Sequence, residues 1–196
     1  MLREEVGIEE LKRVHKELTE LRHEFWLQHD LFSAQWWLLL AVLVISWYVW
    51  WRLVDKRKLM EIVLYGVMMS YLIFIWDQLG YELNLWLYSR KLFRVIPQAE
   101  SLDWGILPIL HMLVFQYFRS WRSYILVNIV MAAVMAFVYE PLSIGIGIYS
   151  MLNWEYVYSF PLYVAKAAII KRLVEAVARK QGRSDGTNSR LNARAE

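Results

Sequence analysis

The sequence predicts an all-α protein, a bundle of five transmembrane helices preceded by an amphipathic helix. Three observations carry this expectation. Of 196 residues, 58% are hydrophobic and 21% charged, where a soluble domain holds about 45–50% apolar residues and roughly a quarter charged. Most of the charges lie in the first 30 and the last 30 residues. Between Leu31 and Ile170 the chain is a series of apolar blocks rich in Trp, Tyr and Phe. This pattern excludes a soluble enzyme domain, a disordered regulator and a secreted disulfide scaffold. With no Cys in the chain, a disulfide, a thiolate nucleophile and a zinc–thiolate site are excluded as well.

The first segment, residues 1–33, reads as an amphipathic helix. Leu11, Val14, Leu18, Leu21, Phe25 and Phe32 recur at three- and four-residue spacing, with Gln28 interrupting. Two roles fit the pattern: a surface helix lying at the membrane interface or packing on the loops, or a homo-oligomer zipper. Neither Gly nor Pro occurs between Gly7 and Gly66, so the helix is expected to run into the first span. Glu4, Glu5, Glu9 and Glu10 among basic residues leave no room for a cleavable signal peptide. His15, His23 and His29 lack the i,i+4 spacing of a metal pair, and no metal is expected.

Residues 34–175 supply the bundle. A membrane helix needs about 20 apolar residues, and five blocks approach that length: 36–54, 59–80, 104–118, 121–139 and 154–170. Trp and Tyr recur at their ends, where amphipathic rings prefer the headgroup layer. Pro108 and Pro161 are expected near helix starts, where a missing N–H costs little. Residues 176–196 are polar, lack apolar periodicity and read as a disordered basic tail.

Lys and Arg set the orientation. Arg52, Lys56, Arg57, Lys58, Arg119, Arg122 and the tail residues Lys171, Arg172, Arg179, Lys180, Arg183, Arg190 and Arg194 fall on one side. The other side has Arg90, Lys91, Arg94 and Arg22, with Arg3, Lys12, Arg13 and Lys16 farther out. The positive-inside rule then places the N-terminus outside and the C-terminus inside, whereas four spans, without the block at 104–118, would make both termini cytoplasmic. The basic residues follow membrane topology and are nearly balanced by acids, which argues against a nucleic-acid partner. The lipid bilayer is the expected partner, with homo-oligomerisation through the N-terminal helix as a second.

This topology gathers acidic residues at the outer face. Asp77, Glu82, Asp103, Glu140 and Glu155 lie there among Trp76, Trp86, Trp104, Trp154 and Tyr158. Carboxylates beside aromatic faces suit a cation. Asp77, Glu82, Asp103, Glu140, Trp86 and Tyr158 are therefore the ligand-binding candidates, against the alternative that such groups only cap helix ends. Within the spans, His111 and Asn128 are placed to meet across the bundle. Glu61 and Lys166 fall toward inner helix ends, where an ion pair or snorkelling accounts for them. Gly145 and Gly147 read as a turn or a close helix approach after Pro141. Glycine-rich phosphate loops, HExxH and GxSxG are absent, so no catalytic residue and no cofactor is assigned.

Four stretches, QWWLLL at 35–40, WDQLGYELNLWLY at 76–88, YEPLSIGIGIY at 139–149 and YSFPLY at 158–163, carry a resemblance. Together they resemble a family of small, uncharacterised multi-pass membrane proteins of endospore-forming Gram-positive bacteria. The resemblance implies a bacterial cytoplasmic membrane location and brings no activity, cofactor or catalytic residue.

The expected function is therefore non-enzymatic: an outer acidic–aromatic cluster that binds a small cation or amphiphile, or docks a membrane partner. The alternatives are an intramembrane lipid- or isoprenoid-modifying enzyme, with Asp77, Glu140 and His111 as proton carriers, and an ion-coupled transporter subunit.

Overall fold

The computed structural model describes residues 7–94 and 102–192. Arg3, Pro97 and Arg194 lie outside them. Helix α1 spans Ile8–Phe25 and passes into a π-helical turn at Trp26–Asp30. It does not run into the first span. Phe32 adopts a left-handed conformation (φ 61°), and the Ser33 hydroxyl accepts from the Trp36 N–H at 3.2 Å to start a new helix. That helix, α2, covers Ala34–Leu53. A short 3₁₀ turn at Lys56–Lys58 leads into α3, Leu59–Glu82.

After α3, Asn84 takes a left-handed conformation (φ 53°), one that Asn tolerates, and turns the chain into strand β1, Trp86–Tyr88. A π turn at Leu102–Ile106 precedes α4, Leu107–Tyr117. Helix α5, Trp121–Val134, is joined through a π turn at Met135–Tyr139 to α6, Glu140–Gly145. Gly147 (φ 74°) occupies the left-handed turn before β2, Tyr149–Met151, so the GxG element is a turn. Helix α7 covers Tyr156–Asn192, and so continues into the tail that the sequence reads as disordered. Good helix formers such as Leu173, Glu175, Ala176 and Arg179 extend it. Pro161 is the sixth residue of α7 and lies inside the helix, past the start where it was expected.

The all-α class holds, with one addition, the two-stranded antiparallel ribbon that pairs Trp86 with Met151 and Tyr88 with Tyr149. Three helical segments, and not five, are long and apolar enough to cross a membrane: 34–53, 56–82 and 121–145. The block at 104–118 falls short because its helical course, Leu102–Tyr117, rises only about 24 Å against roughly 30 Å of hydrocarbon. The block at 154–170 is interrupted by Tyr158, Ser159, Pro161, Tyr163 and Lys166, which lower its hydropathy. Both nevertheless pack into the bundle, where α3 lies between α4 and α7, and α5 lies along α7.

The inward face of α3 organises the core. Ile62, Tyr65, Gly66, Met69, Ile73, Asp77 and Gly80 are buried at helical spacing, apolar at one end and polar at the other. Tyr65 stacks on Phe115 with ring centroids 4.4 Å apart. Its hydroxyl meets that of Tyr124 at 2.6 Å, and Tyr124 donates on to the Ala167 carbonyl at 3.0 Å. Gly66 lets α4 approach closely, because a Cβ there would meet Met112 Sδ at 2.3 Å. Gly66→Ala is expected to cost about 1 kcal/mol, since the flexible thioether gives way; a shift in unfolding midpoint checks it. By contrast, Leu38, Val44, Ile45, Val67, Leu126 and Val130 are exposed along α2, α3 and α5. Apolar surface of that extent fits lipid and not water.

The connections sort into two ends. At one, Asp30 pairs with Arg90 at 3.1 Å, and the indoles of Trp26 and Trp36 donate to the Lys91 and Leu92 carbonyls. Burial pushes the Asp30 carboxyl up, and Arg90 opposes the shift. The ribbon belongs to this end, since Leu85 and Ile148 carbonyls accept from Leu152 and Ser89. At the other end, Gln116 Oε1 accepts from the Asp55 N–H at 2.8 Å. Glu61 pairs with Arg119 at 3.1 Å and not with Lys166. The buried ammonium here is Lys171, which donates to the Phe118 and Arg119 carbonyls.

Candidate functional site

Four separate elements aim polar side chains at one enclosed point under the ribbon. The inward stripe of α3 ends in Asp77. The π turn before α4 carries Asp103, and the π turn after α5 leads directly to Glu140. An extra residue in a helical turn rotates everything that follows, which is one way a helix redirects a side chain at a functional site. Helix α7 contributes Lys166. All four are buried, at 8, 1, 5 and 9% exposure. They line a cavity of about 50 Å³, more than the minimum that a single water requires.

Hydroxyl groups hold the carboxylates in place. Tyr88 donates to Asp77 Oδ2 at 3.0 Å. Glu140 accepts twice, from Tyr163 at 2.7 Å and from Ser159 at 3.1 Å. Trp154 supports the second bond by donating its indole N–H to Ser159 Oγ at 3.0 Å. Lys166 stands apart. Among the described residues no hydrogen bond or ion pair reaches its Nζ, and the nearest aromatic face is Tyr163 at 4.7 Å. It feels Asp77, Asp103 and Glu140 through the field alone.

The ribbon closes the cavity. Trp86 and Tyr88 point to one face of β1, and Tyr149 stands opposite Tyr88 with ring centroids 5.3 Å apart. Burial, with Asp77 and Asp103 nearby, pushes the Tyr88 phenol well above its ordinary range. Burial beside Glu140 and Asp77 raises Tyr149 likewise. Both therefore stay protonated donors at physiological pH. The indole N–H of Trp86, 4% exposed, has no acceptor among the described residues. Trp86 and Tyr88 also line a groove of about 920 Å³ on the far side, beneath α1. The ribbon is thus the wall between an open groove and a closed polar chamber.

Of the residues predicted from sequence, the structure brings Asp77, Asp103, Glu140 and Trp86 together in the cavity. Glu82 does not join them; it lies one turn farther along α3, accepts from Gln78 at 3.0 Å and borders the groove. Tyr158 is half exposed and packs its ring edge-on to Trp154. His111 and Asn128 are both buried. Asn128 donates to the Tyr124 carbonyl at 2.8 Å, while His111 Nδ1 and Asn128 Oδ1 have no partner among the described residues. Neither lines the cavity. Sequence reasoning missed Lys166, Tyr88, Tyr149, Tyr163 and Ser159. A signal for most of them was present, because the stretches at 76–88, 139–149 and 158–163 supply most of the cavity wall.

With all four groups ionised, three carboxylates face one ammonium and two negative charges remain uncompensated. Burying such charge costs several kcal/mol per ion, so the chamber suits protons or a positively charged guest. Among the described residues, no group of three His, Cys, Asp or Glu side chains has the spacing to hold a metal ion. No protein family, curated protein or solved structure matches the chain.

Proposed function

We propose that the protein is a multi-pass protein of the bacterial cytoplasmic membrane, with five crossing segments and an outer N-terminus, that binds a small organic cation without turning it over. One observation carries this reading: Asp77, Asp103 and Glu140 share an aromatic-walled chamber with a single lysine. The charge excess favours a cation, and the aromatic side chains among the carboxylates favour an organic one. Trp76 and Trp86 supply faces for an alkylammonium group. Entry is from the groove, past Trp86 and Tyr88. The resemblance to the endospore-former family fits the same membrane location.

The two ends of the bundle support five crossings, because each successive connection falls at alternate ends and the two segments that do not qualify as spans by themselves pack against the three that do. Single cysteines at Ser33, Ser89, Ser120 and Ser150 test this in a chain without native Cys. Labelling from outside is expected at Ser33, Ser89 and Ser150 and not at Ser120. A shielded Ser33 overturns the orientation.

Binding is tested by thermal stabilisation of nanodisc-reconstituted protein with ammonium, methylammonium, ethanolamine and choline. At a concentration near one hundred times its Kd, a bound amine adds about 2.7 kcal/mol. Asp77→Asn and Glu140→Gln are expected to reduce that gain while leaving insertion intact. Equal stabilisation in both variants removes the cation site.

Lys166 beside three carboxyl groups favours one other reading, acid–base chemistry on a lipid or isoprenoid. His111 has no part in it, since it does not line the chamber. An altered lipid composition on gene deletion supports this reading, and proton-driven flux in liposomes supports an ion-coupled transporter.

A further inference from the structure

The apolar stripe of α1 stays about half exposed along its length, with Leu18, Leu21 and Phe25 bordering the groove above Tyr81 and the ribbon. Leu11, Val14, Leu18, Leu21 and Phe25 are 58, 48, 42, 63 and 47% exposed. Their spacing alternates three and four without a break, the narrow seam of a coiled coil and not the broad face of a surface helix. Taking Leu11, Leu18 and Phe25 as a positions and Val14 and Leu21 as d, the flanking g positions are Glu10 and Glu17. The e positions are His15 and Arg22.

We propose that this face docks on the same helix of a second copy of the chain, in parallel. In a parallel pair each g position meets the next e position of its partner. Glu10 then faces His15, and Glu17 faces Arg22. An antiparallel pair sets g against g and brings the glutamates together. The charge pattern therefore selects the parallel orientation.

The competing occupant is the lipid surface, which favours a cationic polar face. Over Ile8–Phe25 the acids Glu9, Glu10, Glu17, Glu20 and Glu24 outnumber Lys12, Arg13, Lys16 and Arg22. The helix therefore has no net attraction for anionic headgroups. Glu10 and Glu17 pair within the helix with Arg13, at 2.6 and 3.9 Å, contacts exposed enough to exchange at little cost. Arg22 touches the Tyr81 hydroxyl and keeps further N–H donors for a partner carboxylate. The groove beneath Leu18, Leu21 and Phe25 leaves about 920 Å³ beside the seam.

Full-length protein in liposomes carrying Leu11→Cys, Val14→Cys or Lys16→Cys tests the seam by oxidative crosslinking. Leu11 and Val14 are seam positions, and Lys16 is on the opposite face. The seam cysteines are expected to form dimers at least about tenfold faster than Lys16→Cys, the effect of a raised effective concentration. In the Val14→Cys background, Glu10→Lys alone and His15→Glu alone are expected to slow the reaction, and the two together to restore it. None of the substituted side chains is buried, so the bundle stays folded, and its unfolding midpoint verifies this. Equal rates at all three positions overturn the proposal, as do swaps without effect. Seam cysteines that stay monomeric and whose attached fluorophore is quenched by spin-labelled lipid assign the face to the bilayer instead.

Discussion

Lys166→Met is expected to cost the folded protein about 1–3 kcal/mol, the coupling range for neighbouring charged groups that share no direct pair. The substitution keeps the stem of the side chain and removes only the ammonium. What remains is Asp77, Asp103 and Glu140 in an enclosed chamber with no cation among them. Lys171 makes the informative comparison, because it is buried as deeply, at 1% exposure. Its ammonium is held by two backbone carbonyls, by the partly exposed Glu175 at 3.9 Å and by the faces of Phe115, Trp121 and Tyr124. Lys171→Met therefore loses charge-assisted hydrogen bonds, worth about 1.5–3 kcal/mol, and strands no carboxylate cluster. The test is a double-mutant cycle on reconstituted protein. Asp77→Asn is expected to recover about 1–3 kcal/mol when added to Lys166→Met, since neighbouring charges couple strongly. In the Lys171→Met background it is expected to recover nothing. Additive losses in the first cycle would show that Lys166 does not neutralise the chamber.

The helices and their apolar surfaces were legible in the sequence because lipid imposes length and composition on every crossing segment. Asp77 and Glu140 were legible for the same reason, each adjoining a long apolar run. Lys166 was not. From its position near the end of an apolar block it reads as a snorkelling residue, and only the packing of α7 between α3 and α5 turns it inward. The π turns at Leu102–Ile106 and Met135–Tyr139 leave no signature in the periodicity, yet they sit beside Asp103 and Glu140. The ribbon was also missed. Strands of three residues, Trp86–Tyr88 and Tyr149–Met151, are too short to show an alternation. Glu82 and Tyr158 failed for a complementary reason. A shared membrane face brings residues to one level, but only helix rotation decides which of them turn inward.

Rotation also makes Gly80 the small residue with the largest expected effect. It is the last buried position on the inward face of α3, one turn beyond Asp77, and the ring of Trp86 lies flat against it. A Cβ at Gly80 would stand 2.0 Å from Cζ2 and 2.3 Å from Cε2 and Cη2 of that indole. An indole is rigid, and this one is wedged beside Trp154, with ring centroids 5.3 Å apart. Where Met112 bends away from a methyl at Gly66, Trp86 has to move as a body and take β1 with it. Gly80→Ala is expected to cost about 2–3 kcal/mol, toward the upper end for overpacking, and the loss is local. Hydrogen exchange is expected to quicken at the amides of Ser89 and Leu152, which bond to the Ile148 and Leu85 carbonyls. The α3–α4 core around Tyr65 and Phe115 keeps its protection. Because Trp86 and Tyr88 form the wall between groove and chamber, the same variant is expected to admit amines to Asp77 and Glu140 faster and release them faster. Unchanged exchange rates at the ribbon, with wild-type amine kinetics, would mean that Trp86 yields as easily as Met112 and that the ribbon does not control entry.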